Sequence, residues 1–217
     1  MEIKVMKNIL GENDKIAEEN RKLFSEKNIV VVNLMGSPGS GKTSLLEKTL
    51  KNLSEKIKIA VIEGDLFTAK DAERIEKLGV QVVQINTSGG CHLDAQMVNR
   101  AAKSLPLDDL NLIIVENVGN LVCPAEFDVG ENFKAVVLSI TEGDDKPLKY
   151  PLIFKESAIT LLNKTDLLPF TNFNLQSARE DLTALHPNLK IIETSCTNNV
   201  GIDEWCDWLL KCVLKEE

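Results

Sequence analysis

The chain has 217 residues, 43% of them hydrophobic, enough to fill the core of one α/β domain with at most a short extension. A formal net charge of -8 and a pI near 5.0 argue against a nucleic-acid or anionic-membrane surface. No apolar run reaches the length of a transmembrane span, the first residues show no signal-peptide h-region, and five cysteines without a framework spacing favour reduced thiols in a cytoplasmic setting.

Residues 1–28 read as a polar N-terminal helical extension. Ile9, Ile16, Ala17 and Leu23 fall at loose helical intervals among Glu, Lys and Asn. Residues 29–217 then alternate strand and helix signals. Apolar runs at 29–35, 57–62, 80–85, 112–116, 134–140, 158–162 and 189–194 are strand candidates, and helical patterns occupy 42–54, 70–78, 92–104, 175–185 and 201–214. Several of the runs are continuous and rich in Val and Ile, as strands covered on both faces should be. The pattern predicts an α/β fold: a mostly parallel sheet of about seven strands flanked by helices on both faces, with ligands at the carboxyl ends of the strands.

The first strand runs into Gly36-Ser37-Pro38-Gly39-Ser40-Gly41-Lys42-Thr43, which satisfies G-x-x-x-x-G-K-[ST] at every fixed position and leads through Ser44 into a helix. Strand, glycine loop and helix together make a P-loop phosphate cradle. Glycines let backbone N–H groups turn inward, and the helix start adds partial positive charge. Lys42 is placed to reach the β- and γ-phosphates, and Thr43 to offer its hydroxyl to Mg²⁺.

Two later strands end in acids: Glu63-Gly64-Asp65 after 57–62, and Glu116-Asn117-Val118-Gly119-Asn120 after 112–115. Asp65 and Glu116 are candidates to hold Mg²⁺, and the Gly119 N–H to meet a γ-phosphate, which would make this loop a nucleotide switch. Asp71 reads either as a site acid or as a helix N-terminal acid complementing the dipole. No residue stands out as a committed general base, so slow hydrolysis is expected, with Asp65, Asp71 or Glu116 placing the water.

Asn163-Lys164-Thr165-Asp166 ends a late strand in the N-K-x-D pattern. A carboxylate at Asp166 accepts from both N1–H and the exocyclic amine of guanine. Adenine has no such donor pair, so ATP would leave a buried carboxylate unpaired at a cost of several kcal/mol. Lys164 would lie along the base, and Asn163 would tie this loop to the glycine loop. Ser195 and Cys196, after the last strand, are similar to the second base-contacting loop of small GTPases; a plain strand-to-helix turn is the other reading.

Cys91-His92 follows Thr87-Ser88-Gly89-Gly90 and is expected to open a helix, whose dipole would favour the Cys91 thiolate. The adjacency alone fits two readings: a buried cysteine beside a surface histidine, or a pair of metal ligands. Cys123 lies just past the Glu116–Gly119 loop, and both segments are expected to leave the same sheet edge from neighbouring strand ends. Two thiolates and an imidazole suit Ni²⁺ or Zn²⁺, and a two-fold dimer would complete the coordination. Cys206 and Cys212, on an amphipathic C-terminal helix, read as core residues, and His186 as a helix-end cap or surface group.

Gly36–Thr43, Glu63-Gly64-Asp65, Asp71-Ala72-Glu73-Arg74-Ile75, Cys91-His92-Leu93-Asp94-Ala95, the block from Glu116 to Pro124, the block from Thr141 to Pro151 and Asn163–Asp166 together resemble the hydrogenase and urease nickel-insertion GTPases, on the hydrogenase side. The Cys-Pro-His pattern of the urease members is absent here. The resemblance implies a GTP-hydrolysing metallochaperone that cycles between GTP and GDP with Mg²⁺, forms a homodimer with GTP, and handles Ni²⁺ at Cys91, His92 and Cys123, a site that Zn²⁺ also occupies. It implies delivery of nickel during [NiFe]-hydrogenase maturation, with another nickel-insertion accessory protein and the hydrogenase large-subunit precursor as partners. It also suggests that Lys149 approaches the nucleotide of the partner subunit. The chain shows neither an N-terminal cysteine motif nor a histidine-rich tract, so no separate tight nickel store is expected. Two rival readings are a regulatory GTPase that acts through partner binding without metal, and a P-loop kinase, against which Asn163–Asp166 speaks.

Overall fold

Short segments rich in Val, Ile and Leu, buried in the centre of the sheet and partly exposed at its edges, form the strands: β1 (Val30–Gly36), β2 (Ile59–Asp65), β3 (Gln81–Asn86), β4 (Leu112–Glu116), β5 (Phe133–Ser139), β6 (Ile159–Asn163) and β7 (Lys190–Thr194). The computed structural model describes residues 9–65 and 70–215. All seven strands pair in parallel in the order β3-β2-β4-β1-β5-β6-β7. The strand order reverses beside β1, which puts the ligand crevice of a doubly wound sheet at the end of that strand.

Alternation along β1 shows how the sheet feeds two faces. Val30, Val32 and Leu34 enter the core beneath α2 (Lys42–Leu53) and α9 (Ile202–Leu214), with Ile75 of α3 (Lys70–Glu76). Val31 turns to the opposite face, against α1 (Ile9–Glu26) and α4 (Ala95–Ala102). Met35 joins Ala125, Phe154 and Leu182 of α5 (Cys123–Glu126), α7 (Pro151–Lys155) and α8 (Leu175–Leu185). Cys206 and Cys212 sit in or against the core, and burial pushes both thiols up to about 11. His186 caps the C-terminus of α8, its N–H bonded to the Leu182 carbonyl. Among the described residues no helix is long and apolar enough to cross a membrane.

The seven expected strands are all present, and three details differ. β2 continues to Asp65, so Glu63 and Gly64 belong to the strand rather than to a loop after it. The helix expected from residue 92 begins at Ala95, because the Asp94 carboxylate accepts the Met97 N–H and caps it there. The short helices α5, α6 (Lys146–Lys149) and α7 were not foreseen; each carries a proline in its first turn and has too few residues to show a period.

Of the helical extension expected over 1–28, the first eight residues lie outside the described part. In α1 the buried stripe is Asn13, Ala17, Asn20 and Phe24, while Ile16 and Leu23 are half-buried. The two asparagines are buried because they hydrogen-bond backbone at both ends of the α1 docking surface.

Candidate nucleotide and metal site

The P-loop curls from the end of β1 into the first turn of α2. Gly41 has φ 101°, and a Cβ there would come within 2.4 Å of Asn163 Nδ2, so both the turn and its neighbour require glycine. Lys42 is 8% exposed, and its Nζ donates to the Gly36 and Ser37 carbonyls, each at 3.3 Å. Burial lowers its pKa, while the Glu116, Glu142, Asp71 and Glu63 carboxylates push it back up. Thr43 Oγ1 donates to Glu116 Oε1 at 2.8 Å. These residues open on a cleft of about 420 Å³, lined also by Pro38, Gly39, Ser44, Glu63, Asp65, Asp71, Arg74, Gly119 and Lys164. A larger depression of about 550 Å³, between Leu10 and Leu152, carries none of the motif residues.

The cleft is acid-rich. Glu63 on β2 and Glu116 on β4 face each other in register. They are 3% and 4% exposed, and each leaves Oε2 without a hydrogen-bond partner. Burial drives Glu63 up to about 8, helped by the charges of Glu116 and Asp65. Burial also raises Glu116, to about 7, against the pull of Lys42 and Thr43. Asp65 lines the cleft from the end of β2. Asp71 accepts from Arg74 Nη1 at 2.9 Å, and Arg74 gives its other two nitrogens to Glu47. Hard oxygen donors line the cleft with Thr43, two of them buried and unpartnered, and fit a Mg²⁺ ion.

At the base edge, Asn163 Nδ2 donates to the Ser40 carbonyl at 2.9 Å, and Thr194 Oγ1 donates to Asn163 Oδ1 at 3.1 Å. Lys164 takes a left-handed backbone (φ 65°), uncommon for a side-chain-bearing residue, and its Nζ reaches the Gly39 carbonyl at 2.6 Å. Ser195 Oγ donates to Asp166 Oδ1 at 2.5 Å, and Cys196 Sγ lies 3.8 Å from Asn163 Oδ1. The two expected base loops therefore converge on each other and on the P-loop.

The loop after Glu116 packs on the P-loop: a Cβ on Gly119 would sit 2.8 Å from Pro38 Cα. The same loop ends at Cys123. Cys91, His92 and Cys123 each offer one ligand atom, all within 4.8 Å of one another. The two sulfurs are 3.0 Å apart, and Cys91 Sγ lies 3.5 Å from His92 Nδ1. Two sulfurs and a nitrogen suit a borderline-soft divalent ion.

The cluster forms by a different route from the one expected. Cys91 lies in a bend four residues before α4, so it gains no helix-dipole stabilisation. The strands that carry the two cysteine segments, β3 and β4, are not neighbours; β2 lies between them. The His92 ring packs on Phe127 at a 31° tilt, centroids 3.8 Å apart, and burial lowers the imidazole pKa while Asp94 and Glu126 oppose. The hydrogen bond with Cys91 raises the Cys123 pKa, and burial adds to it. Lys149 on α6 is exposed and ion-paired with Asp145, outside the lining of the cleft.

A family model described as the CobW/HypB/UreG nucleotide-binding domain matches residues 30–193. The chain is also 50% identical over 201 residues to hydrogenase maturation factor HypB of Escherichia coli K12, covering 93% of this chain and 69% of that one. This chain belongs to the HypB family. A probable HypB of Methanocaldococcus jannaschii is 41% identical over 96% of this chain and 95% of its own. Among solved structures, HypB of Archaeoglobus fulgidus superposes with a TM-score of 0.89 at 38% identity, covering 94% of this chain and all of that one. HypB of Helicobacter pylori, solved in complex with nickel, also superposes at 0.89, with 36% identity and coverage of 94% and 96%. FtsY of Mycoplasma mycoides, at 17% identity and a TM-score of 0.58 over 94% of this chain and 77% of that one, shares the fold alone.

Phe127 of this HypB chain escaped the sequence reading, and Glu63 was named there as a strand-end acid but given no role of its own. The place of Glu63 in the cleft shows once β2 is seen to run on past it. Phe127 carries no motif signal; its meeting with His92 is purely tertiary.

Proposed function

We propose that the protein is a GTP-hydrolysing metallochaperone that binds nickel at Cys91, His92 and Cys123 and delivers it during [NiFe]-hydrogenase maturation. One observation carries this reading: a single loop starts at Glu116, hydrogen-bonded to the P-loop threonine, and ends at Cys123, in contact with Cys91. A loop that tightens on the γ-phosphate shifts Cys123. GTP then closes a homodimer and assembles the metal site, and hydrolysis loosens it and releases the cargo. The HypB family assignment and the nickel complex of the H. pylori relative support the choice of metal. Zinc occupies the same three ligands.

Asp166 reads guanine, with Lys164, Asn163, Ser195 and Cys196 shaping the base pocket. Residues 36–44 cradle the phosphates, with the Gly119 N–H on the γ-phosphate. Thr43, Asp65, Asp71 and Glu116 are the groups that would hold Mg²⁺, whose chemistry there is to neutralise charge growing on the transferred phosphoryl group. Asp65, Asp71 or Glu116 places the attacking water. Lys149 serves the partner subunit's nucleotide. The working unit is the domain from residue 29, with 1–28 as its helical extension. It acts in the cytoplasm with a second nickel-insertion protein and the hydrogenase large-subunit precursor, away from nucleic acid and membrane.

The test pairs nucleotide competition with metal analysis after Ni²⁺ loading. Selection of GTP over ATP and stoichiometric nickel that is lost on Cys91→Ala or Cys123→Ala support this reading. GTP selectivity with no nickel uptake would instead support a regulatory GTPase acting through partner binding.

A further inference from the structure

Between the cleft and the cluster stands Asn120, a ligand in neither, whose side chain also hydrogen-bonds the Cys123 thiol. The Asn120 backbone N–H donates to the Gly36 carbonyl at 3.0 Å, where the P-loop begins. Its side-chain Nδ2 donates to the Cys91 carbonyl at 3.3 Å, and its Oδ1 accepts the Val122 N–H at 2.9 Å, immediately before Cys123. One residue thus joins the phosphate loop to both cysteine-bearing segments.

Asn117 makes a parallel connection three residues earlier. Its N–H donates to the Leu34 carbonyl at 3.0 Å, and its Oδ1 accepts the N–H of Leu93, the residue after His92, at 3.0 Å. Leu93 is fully buried and seated against Gly64, where a Cβ would fall 2.8 Å from it. The far ends of both metal segments are held elsewhere, by α1. Asn13 accepts the Ala95 N–H at 2.9 Å and donates to the Asp128 carbonyl at 2.8 Å. Asn20, with no exposed surface, donates to the Ala95 and Val129 carbonyls at 2.8 and 2.9 Å. Each metal segment is therefore fixed at its outer end and tied at its inner end to residues 117–120.

We propose that Asn120 is the positioning residue through which phosphate occupancy sets the geometry of the Cys91–Cys123 pair. A planar amide that donates to one segment and accepts from the other fixes the two at a set distance. When residues 117–120 shift on the P-loop, the Cys91 carbonyl and the Val122 peptide shift with them, while α1 holds the outer ends still. The role is mechanical, so its signature is the coupling between sites rather than binding at either one. Asn120→Ala removes the side-chain hydrogen bonds to Cys91, Val122 and Cys123. Asn120→Asp keeps the acceptor for Val122 but loses the donor to Cys91, and it sets a carboxylate against the Cys91 carbonyl.

The inference rests on the nucleotide-coupled reading above, and one experiment separates their failures. Ni²⁺ affinity is measured by chelator competition in the GDP and GTP-analogue forms of the full chain, for the natural sequence and both variants, with thiolate-to-nickel absorbance as the readout. In the natural sequence the two affinities should differ by about fivefold or more, the usual lower end of coupling between sites. In both variants nickel and nucleotide should still bind, with the two affinities converging to within about twofold. A natural-sequence ratio retained in Asn120→Ala overturns this inference alone. Loss of nickel binding in both forms of that variant overturns it too, since Asn120 would then build the site rather than couple it. Equal affinities in the natural sequence overturn the coupled reading, and this inference with it.

Discussion

The nucleotide cleft is assembled from strand ends and first helical turns, and its charged centre is buried: Lys42, Glu63 and Glu116 are all under 9% exposed. The metal cluster hangs on a bend at Cys91 and His92 and on Cys123, the first residue of the four-residue α5. Cys91 is exposed, His92 and Cys123 are half-buried, and the anchors that hold them are asparagine side chains rather than the sheet. The contrast fits two tasks. Phosphate recognition gains from donors fixed before the ligand arrives, because no reorganisation is then needed. A cargo site must change affinity, and loops are the part of a fold that does so at low cost.

The sharpest way to break that comparison is to damage one region and ask whether the other notices. Lys42→Ala should cut single-turnover phosphate release by roughly 100–1,000-fold, the cost of losing one preorganised charge donor. Nickel uptake by the GDP form should be unchanged. Cys91→Ala or Cys123→Ala should do the reverse. Nickel affinity should fall by more than about 100-fold, beyond what supporting residues alone contribute, with GTP binding intact by calorimetry. A large loss of GTP binding in either cysteine variant would mean that the two regions are one structural unit.

Asp166→Asn sharpens the cleft side. It should weaken GTP by about 10–100-fold, the range of one hydrogen bond to a charged group, and leave the affinity for ATP nearly unmoved. Phe127→Ala sharpens the metal side. Losing the ring against His92 should weaken nickel by about 3–10-fold, in line with an aromatic contact of ~0.5–1.5 kcal/mol.

The smallest effect is a pH dependence of stability. Folding raises Glu63 to about 8 and Glu116 to about 7 from an ordinary value of 4.5. Between those values the folded chain holds protons that the unfolded chain has released. Stability of the nucleotide- and cation-free protein therefore falls as pH rises from about 4.5 and levels off above about 8. A thermal melt should drop by a few degrees across that window, and Glu63→Gln should flatten the slope. A melt that rises over the same window would contradict the burial of these acids.

Legibility in the sequence followed how local each feature is. The P-loop and Asn163–Asp166 were readable because each is one short peptide whose spacing encodes its own geometry. Most strands were readable because segments buried on both faces are continuously apolar; the edge strand β3 is only part-buried and showed by Val82, Val83 and Ile85. Cys91, His92 and Cys123 came forward by residue type and by the resemblance, but the path between them did not, since β2 separates their strands. Asn13 and Asn20 were invisible: hydropathy places an amide on the solvent side of a helix, and only a partner across the fold reveals otherwise. The helix start at Ala95 turned on one capping carboxylate, Asp94, inside a segment whose apolar period ran on past it.

The account stands most directly on nickel titration of the unaltered protein in its GDP and GTP-analogue forms, followed by sedimentation. It predicts that the analogue form is dimeric and that its nickel affinity differs from that of the GDP form. The same affinity and the same oligomeric state with either nucleotide would contradict it.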